Sequence, residues 1–246
     1  MLSGRRVRLT IVAVVIIGGL AAAAAWYFLI RDEGAFHFVI EDEAPPKVSL
    51  AAALELLAAR PNGSAQPAGE LAGTWVIAQG GESFAGYRVR ETLATFGANT
   101  AVGRTHDIEG VLEYDGRSIT RVEVTADLTM LRSDQAVRDE QLQVQAIETD
   151  TYPTARFRLT SLIQIEGAPE AGEAVDQTVR GELTLHGVTR EVEVEVEGAL
   201  SGGVLVVVGA VEIALADFEI ERPVSFSVLS IEERGVLEFQ LVFERE

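Results

Sequence analysis

The chain has 246 residues, of which 48% are hydrophobic, and its 38 acidic and 20 basic residues give a formal net charge of −18. This length and apolar content predict one main domain with one sizeable core, and the acidic balance argues against nucleic-acid binding because phosphate contacts require clustered cations. The absence of cysteine excludes disulfides, thiol nucleophiles and thiolate metal sites.

The N-terminal segment is apolar and long enough to cross a bilayer. Residues 9–30 carry no charged side chain, and at about 1.5 Å per residue a helix of this length covers a hydrocarbon core of about 30 Å. Because three arginines precede the segment, the positive-inside rule predicts a cytoplasmic tail at residues 1–8, a single-pass anchor in the cell membrane at residues 9–30 and an extracytoplasmic C-terminal domain. A cleaved signal peptide is the alternative, since residues 23–25 form a run of small alanines.

Residues 31–72 are predicted to be a flexible stalk with one short helix. Prolines at positions 45, 46, 61 and 67 interrupt this segment. Residues 49–60 combine a capping serine with a small apolar stripe of leucines, which predicts a helix. We expect this helix to dock loosely on the main domain or not at all.

Residues 73–246 are predicted to form strand after strand. Nine candidate strands are separated by turn signals such as Asp115-Gly116 and His186-Gly187; they are residues 74–79, 83–92, 106–114, 118–131, 154–165, 177–185, 188–198, 204–215 and 236–244. The one convincing helix in this region is 133–147, which opens with Ser and Asp as capping residues. Because strands and helices do not alternate, an antiparallel meander is favoured over a parallel sheet.

The predicted strands have one apolar and one polar face. In residues 191–197, three valines alternate with four glutamates, which is the period of a strand with one buried and one solvent-facing side. Residues 122–129, 155–159 and 237–243 alternate in the same way. This pattern fits a barrel of about eight strands, whose interior is packed or holds one small ligand, and it fits a two-sheet sandwich equally well.

Three segments resemble the YceI family. They are GANTAVGRT at residues 97–105, SDQAVRDEQLQVQAIETDTYPTARFRLT at residues 133–160 and GELTLHGVTREVEVEVEG at residues 181–198. The most specific features are the R-D-x-x-L of Arg138, Asp139 and Leu142 followed by Tyr-Pro and Phe157, and then the G-x-L-T-x-H-G-V-T at residues 181–189. The resemblance covers roughly residues 73–246. The chain departs from the common pattern of the family in its predicted anchor and in a domain without lysine, and the second departure argues against a headgroup-binding lysine.

The resemblance implies an all-β fold, an extended antiparallel lipocalin-like β-barrel with one short helix. It also implies a lumen that holds a polyisoprenoid, an isoprenoid quinone or a similar long-chain lipid, in a protein of the bacterial cell envelope. The candidate lining residues lie on apolar strand faces, apart from Phe96 in the loop-like residues 95–103; they are Phe96, Phe157, Leu159, Leu183, Leu185, Val192, Val194, Phe239 and Leu241. Ordinary core packing is the alternative role for each of them.

Three arginines are candidate headgroup donors at the mouth of the barrel. Arg104, Arg138 and Arg190 flank turns or the helix, and guanidinium groups suit a pyrophosphate or quinone oxygen. Surface ion pairs with the many carboxylates are the alternative role, and Arg138 is also placed to dock the helix across one end of the barrel.

Catalytic and metal sites find little support in the sequence. The histidines at 37, 106 and 186 lack the spacing of a metal site, and Ser83 in GESFAG misses the G-x-S-x-G spacing by one residue. His186 is expected to be a turn residue. We therefore expect a lipid-binding protein that is not an enzyme and uses no cofactor or metal. The alternative is an envelope stress or protein-interaction module that uses the barrel as a scaffold for its acidic surface; the oligomeric state is not predicted.

Overall fold

The computed structural model describes residues 47–58, 71–95, 97–165, 172–223, 226 and 228–246. The predicted cytoplasmic tail, the predicted anchor, most of the predicted stalk and Phe96 lie outside the described residues. Within the described ranges, no helix combines the length and the hydropathy needed to span a membrane.

Thirteen strands make up most of the described chain. They are β1 (Gly73–Ile77), β2 (Phe84–Leu93), β3 (Gly97–Thr105), β4 (Ile108–Tyr114), β5 (Ser118–Asp127), β6 (Arg132–Ser133), β7 (Thr154–Leu159), β8 (Ile163–Gln164), β9 (Val175–Leu185), β10 (Val188–Ser201), β11 (Val204–Ala214), β12 (Val228–Ile231) and β13 (Arg234–Arg245). The helices are α1 (Leu50–Ala58) and α2 (Ala136–Gln141), with a π-helix at Leu142–Ala146 and 3-10 helices at Leu128–Met130 and Leu215–Phe218.

Eight of these strands close into an antiparallel barrel. Their order around the barrel is β1, β4, β5, β7, β9, β10, β11 and β13, and β13 pairs again with β1. β13 also pairs with β2, so that β1 and β2 follow one another along the same edge of β13. Beyond β2, the pairing continues to β3 and β6, and β12 also pairs with β2. The closed ring confirms the predicted barrel and decides against the sandwich.

The predicted turn at His186-Gly187 is confirmed, and it joins β9 and β10 in a hairpin. Both turn residues have positive φ, 50° at His186 and 73° at Gly187, which matches the twist of the flanking strands. The strained histidine is held by its ring, because Nδ1 lies 3.1 Å from the Phe218 carbonyl oxygen and Nε2 lies 3.0 Å from Glu148 Oε2. Gly187 is also required sterically, since an added Cβ would lie 2.6 Å from the Tyr152 ring.

Residues 97–105 form β3 instead of the predicted loop. Their glycines and small side chains lack the apolar alternation that identifies a strand, yet all nine residues pair with β2. Position 103 requires glycine, because an added Cβ would lie 2.4 Å from the Tyr87 ring on β2. The predicted helix at 133–147 is also divided in the structure, into β6, α2 and the π-helix.

Helix α1 packs firmly on the outside of the barrel, contrary to the expected loose docking. The Ser49 Oγ accepts a hydrogen bond from the Ala52 amide at 3.3 Å, as predicted for the cap. Leu50, Ala53 and Leu57 are buried in one apolar cluster with outward-facing residues of β10, β11 and β13. The continuous apolar run of residues 204–208 is explained by this contact, because β11 is covered on both faces.

Candidate functional site

An elongated cavity of about 430 Å³ lies inside the barrel. Its lining includes Val175 and Leu185, which are the two ends of β9. The ten steps between these residues, at about 3.3 Å each, give about 33 Å along the strand, or roughly 25 Å along the barrel axis for a strand tilt of about 40°. The volume falls within the range of roughly 300–1,000 Å³ that is usual for small-molecule pockets.

The strand alternation makes this lining apolar. On β10, Val192, Val194 and Val196 line the cavity, while Glu193 and Glu195 between them are exposed. Two apolar clusters border the cavity, one that contains Trp75, Leu112 and Phe243 and one that contains Leu128, Ile147 and Ile213. The apolar core of the barrel thus consists of two clusters, and the cavity lies between their side chains.

Glycines opposite aromatic rings keep the cavity wide. An added Cβ at Gly181 on β9 would lie 2.3 Å from the Phe157 ring, and one at Gly209 on β11 would lie 2.5 Å from the Phe239 ring. Each ring therefore lies close against the neighbouring strand, where a larger residue would push it into the lumen. This aromatic–glycine pairing is a known device for supporting glycine within sheets.

Most of the predicted lining residues border the cavity. They are Phe157, Leu183, Leu185, Val192, Val194, Phe239 and Leu241. Leu159 is half-buried on β7 but does not line the cavity, and Phe96 lies outside the described residues. Tyr87 and Val89 of β2 also line the cavity; their alternation with the arginines at 88 and 90 is the sequence signal that indicates this inward face. Direct ligand contact by any of these residues remains a prediction.

The cavity opens beside α2, at a rim that we call the α2 mouth and that consists of Glu91, Gln135, Val137, Arg138 and Gln141. Val137 is 67% exposed although it lines the cavity, so the rim reaches solvent. The other rim residues are polar or charged. A ligand in the lumen would therefore meet hydrogen-bonding groups at this end only after a long apolar wall.

Glu91 is the buried carboxylate of the α2 mouth. Its Oε1 accepts hydrogen bonds from Arg138 Nη2 and from Asn99 Nδ2, each at 2.7 Å. Arg138 also pairs with Asp134, and the Glu91 and Arg138 side chains are only 5% and 13% exposed. Burial by itself lowers the pKa of Arg138, but the Glu91 and Asp134 carboxylates outweigh it and raise that pKa above its ordinary value. The Glu91–Arg138 pair also attaches α2 to β2.

The other two arginines predicted at the mouth lie elsewhere. Arg104 is a residue of β3, and its Nη2 donates to Glu238 Oε1 at 2.7 Å while its guanidinium lies 4.1 Å from the Phe84 ring centroid. Glu238 is 2% exposed and also pairs with Arg88 at 3.1 Å. Arg190 is exposed and donates to the Thr189 carbonyl oxygen at 3.3 Å. Of the three, Arg138 is the one that lines the cavity.

Comparison with known proteins identifies the family. A model of the YceI-like domain matches residues 75–243. The chain belongs to the YceI family. It is 32% identical over 139 residues to a UPF0312 protein of Vibrio campbellii (53% of this chain, 70% of that protein), and 29% identical over 120 residues to Protein YceI of Shigella flexneri (48% and 56%). A polyisoprenoid binding domain from Saccharophagus degradans has the same fold, with a TM-score of 0.55 at 18% identity over 70% of this chain and 98% of that domain.

In this YceI-family barrel, Ser83 and His186, the two residues with catalytic potential in the sequence, make structural contacts. Ser83 is 3% exposed, and its Oγ accepts a hydrogen bond from the Val242 amide at 3.0 Å. His186 lies in the hairpin turn with both ring nitrogens engaged. Within the described ranges, no group of three histidine or carboxylate side chains is arranged to hold a metal ion.

Proposed function

We propose that the protein is a membrane-anchored, extracytoplasmic member of the YceI family that holds a polyisoprenoid, an isoprenoid quinone or a similar long-chain lipid in its barrel. The observation that carries this proposal is the apolar cavity that follows β9 from Val175 to Leu185. An apolar chain gains roughly 25 cal/mol for each Å² of surface that such a wall removes from water. The polyisoprenoid binding domain of similar fold supports the ligand class.

Binding without chemical turnover is part of the proposal. Ser83 and His186 are the two residues with catalytic potential in the sequence, but both have structural contacts. The Ser83 hydroxyl binds the backbone amide of Val242 on β13, and His186 lies in the hairpin turn. An apolar lumen selects its ligand by shape and length and requires no reacting group. The proposed role is therefore to sequester, carry or present a lipid.

Mass spectrometry of organic extracts tests this proposal. The full-length chain, purified from cell membranes, is expected to release about one long-chain lipid per chain, the amount that a single site takes up. A delipidated sample is expected to take up an added prenyl lipid in the same ratio. A chain that releases no lipid and also fails to take up the added one would contradict the proposal.

A further inference from the structure

We propose that the α2 mouth selects long-chain lipids with an uncharged, oxygen-bearing headgroup and disfavours lipids that end in a phosphate or diphosphate. The juxtaposition behind this inference is Arg138, already paired with Glu91 and Asp134, at the rim of the apolar cavity. The inference rests on the proposed lipid-binding function and concerns the headgroup alone.

The charged groups at and beside the α2 mouth include more carboxylates than cations. Arg138 lines the cavity, but its guanidinium is bound to Glu91 and Asp134. Asp139 follows on α2, where its Oδ1 accepts the Ser133 amide at 2.8 Å, and Glu221 lines the same cavity. A phosphate brought to this rim would meet an excess of like charge, and like-charge contacts oppose binding.

The remaining charged residues along the cavity do not alter this balance. Arg156 borders the cavity but lies exposed between the inward-facing Ala155 and Phe157 of β7. Glu238 also borders it, and its carboxylate is paired with Arg88 and Arg104. The guanidinium of Arg156 therefore does not supply a positive charge to the lumen, and the carboxylate of Glu238 is neutralised by its arginine partners.

The mouth does offer neutral hydrogen-bond donors. The Tyr87 side chain lines the cavity next to the Glu91–Arg138 pair. Its burial raises the pKa of the phenol above its usual range, although the Arg138 guanidinium acts in the opposite direction, so the hydroxyl keeps its proton at neutral pH. Within the described part of the chain the Tyr87 hydroxyl has no hydrogen-bond partner. Gln135 and Gln141 line the same rim, and their side-chain amides can donate hydrogen bonds. A quinone carbonyl or an alcohol oxygen can accept from these donors without bringing charge.

The test compares lipids that share one prenyl tail and differ only in headgroup. The delipidated full-length chain is titrated with a prenyl quinone, a prenyl alcohol and a prenyl diphosphate at about 0.1 M salt, where charges within about 10 Å still interact, in competition with one fluorescent lipid. The quinone and the alcohol are expected to bind at least about tenfold more tightly than the diphosphate. Equal binding of all three, or a preference for the diphosphate, would overturn the inference and leave the proposed function standing. Failure of all three lipids to bind would refute both.

Charge variants provide the second arm. Glu91→Gln removes one of the two carboxylates that pair with Arg138, so the preference against the diphosphate is expected to fall about tenfold. Asp134→Asn is expected to act in the same direction; because Asp134 is 67% exposed, this variant keeps the test valid if the buried Glu91 variant does not fold. Glu195→Gln is the matched control, since it removes one exposed carboxylate from the outer face of β10 and should leave the preference unchanged. An unchanged preference in both mouth variants would overturn the inference.

A hydroxyl deletion provides the third arm. Tyr87→Phe keeps the ring against Gly103 and removes only the donor, so the affinity for the prenyl quinone is expected to fall several-fold, the usual effect of one lost hydrogen bond. Squalene, a hydrocarbon without a headgroup, is expected to bind the variant and the parent chain equally. Equal loss for squalene and the quinone would mean that the variant damages the lumen, which overturns the role assigned to the hydroxyl.

Discussion

Val194 and Glu195 differ by one position and occupy opposite environments. Val194 is 4% exposed and borders the cavity, whereas Glu195 is exposed on the barrel exterior. The pleat of β10 causes this difference, because consecutive side chains leave opposite faces of a strand. Reversing the faces would require a one-residue register shift, and the pairing of β10 with β9 is continuous from Val188 to Gly198.

Enlarging Val194 should therefore block the lumen. Val194→Phe places a ring among cavity-lining residues, and binding of a long-chain lipid is expected to fall about tenfold or more, at a stability cost of about 1–3 kcal/mol from overpacking. Glu195→Gln should change lipid binding by less than about twofold. A lipid titration together with a thermal melt of each variant measures both effects. Normal lipid binding by a folded Val194→Phe chain would mean that the lipid does not occupy the lumen beside Val194, which would contradict the site proposed here.

Substitution of Gly103 tests whether the Tyr87 ring requires a glycine at this position. Gly103→Ala is expected to lower the free energy of unfolding by about 1–3 kcal/mol, because its Cβ would lie 2.4 Å from the Tyr87 ring. In a Tyr87→Leu background the ring is gone, and the same substitution should cost much less. Urea unfolding of the four chains in this cycle measures the coupling. Additive effects would show that the ring does not determine the glycine.

Among the structural elements, the strands with clear alternation were the predictable ones. Strict period-two patterns occur at residues 191–197 and 237–241, and both lie within barrel strands of the structure. β3 could not be predicted in the same way, because its glycine at 103 is selected by a ring on another strand, and a single sequence does not show which strands are neighbours. Arg138 was predictable as a helix residue that docks on the barrel. Its partner Glu91 was not, because it lies 47 positions away on a strand whose neighbours a single sequence does not show.

Helix α1 should be a stabilising part of the barrel exterior. Ala53 is fully buried against it, so Ala53→Glu would force an unpaired carboxylate into an apolar contact and is expected to cost about 2 kcal/mol or more. Ala52→Glu, on the exposed side of the same helix, is the matched control and should change stability by less than about 0.5 kcal/mol. Thermal unfolding checks both variants. Equal melting temperatures would mean that α1 contributes nothing to the stability of the barrel.

On the scale of the whole molecule, charge and apolar surface are separated by the barrel wall. The exterior carries ion pairs between neighbouring strands, such as Arg158 with Glu182 and Arg180 with Glu193, both at 2.6 Å. These exposed pairs add little stability because water and salt screen them. The net charge of −18 keeps the exterior solvated, while the lumen remains suited to an apolar chain. Transfer of a lipid between a membrane and this lumen is easiest for a barrel held near a bilayer, which is the proposed purpose of residues 9–30.

The proposed anchor has a direct biochemical test. If residues 9–30 remain in the mature protein, the chain should stay with the membrane fraction after washes at high salt and at alkaline pH, because apolar insertion does not depend on surface charge. Its N-terminal sequence should begin before residue 9. The matched variant lacks residues 1–30 and should be released into the soluble fraction while retaining lipid binding. A mature N-terminus at Trp26, after the alanine run at 23–25, would identify the segment as a cleaved signal peptide. In that case the lipid-binding proposal would stand for a protein released from the membrane.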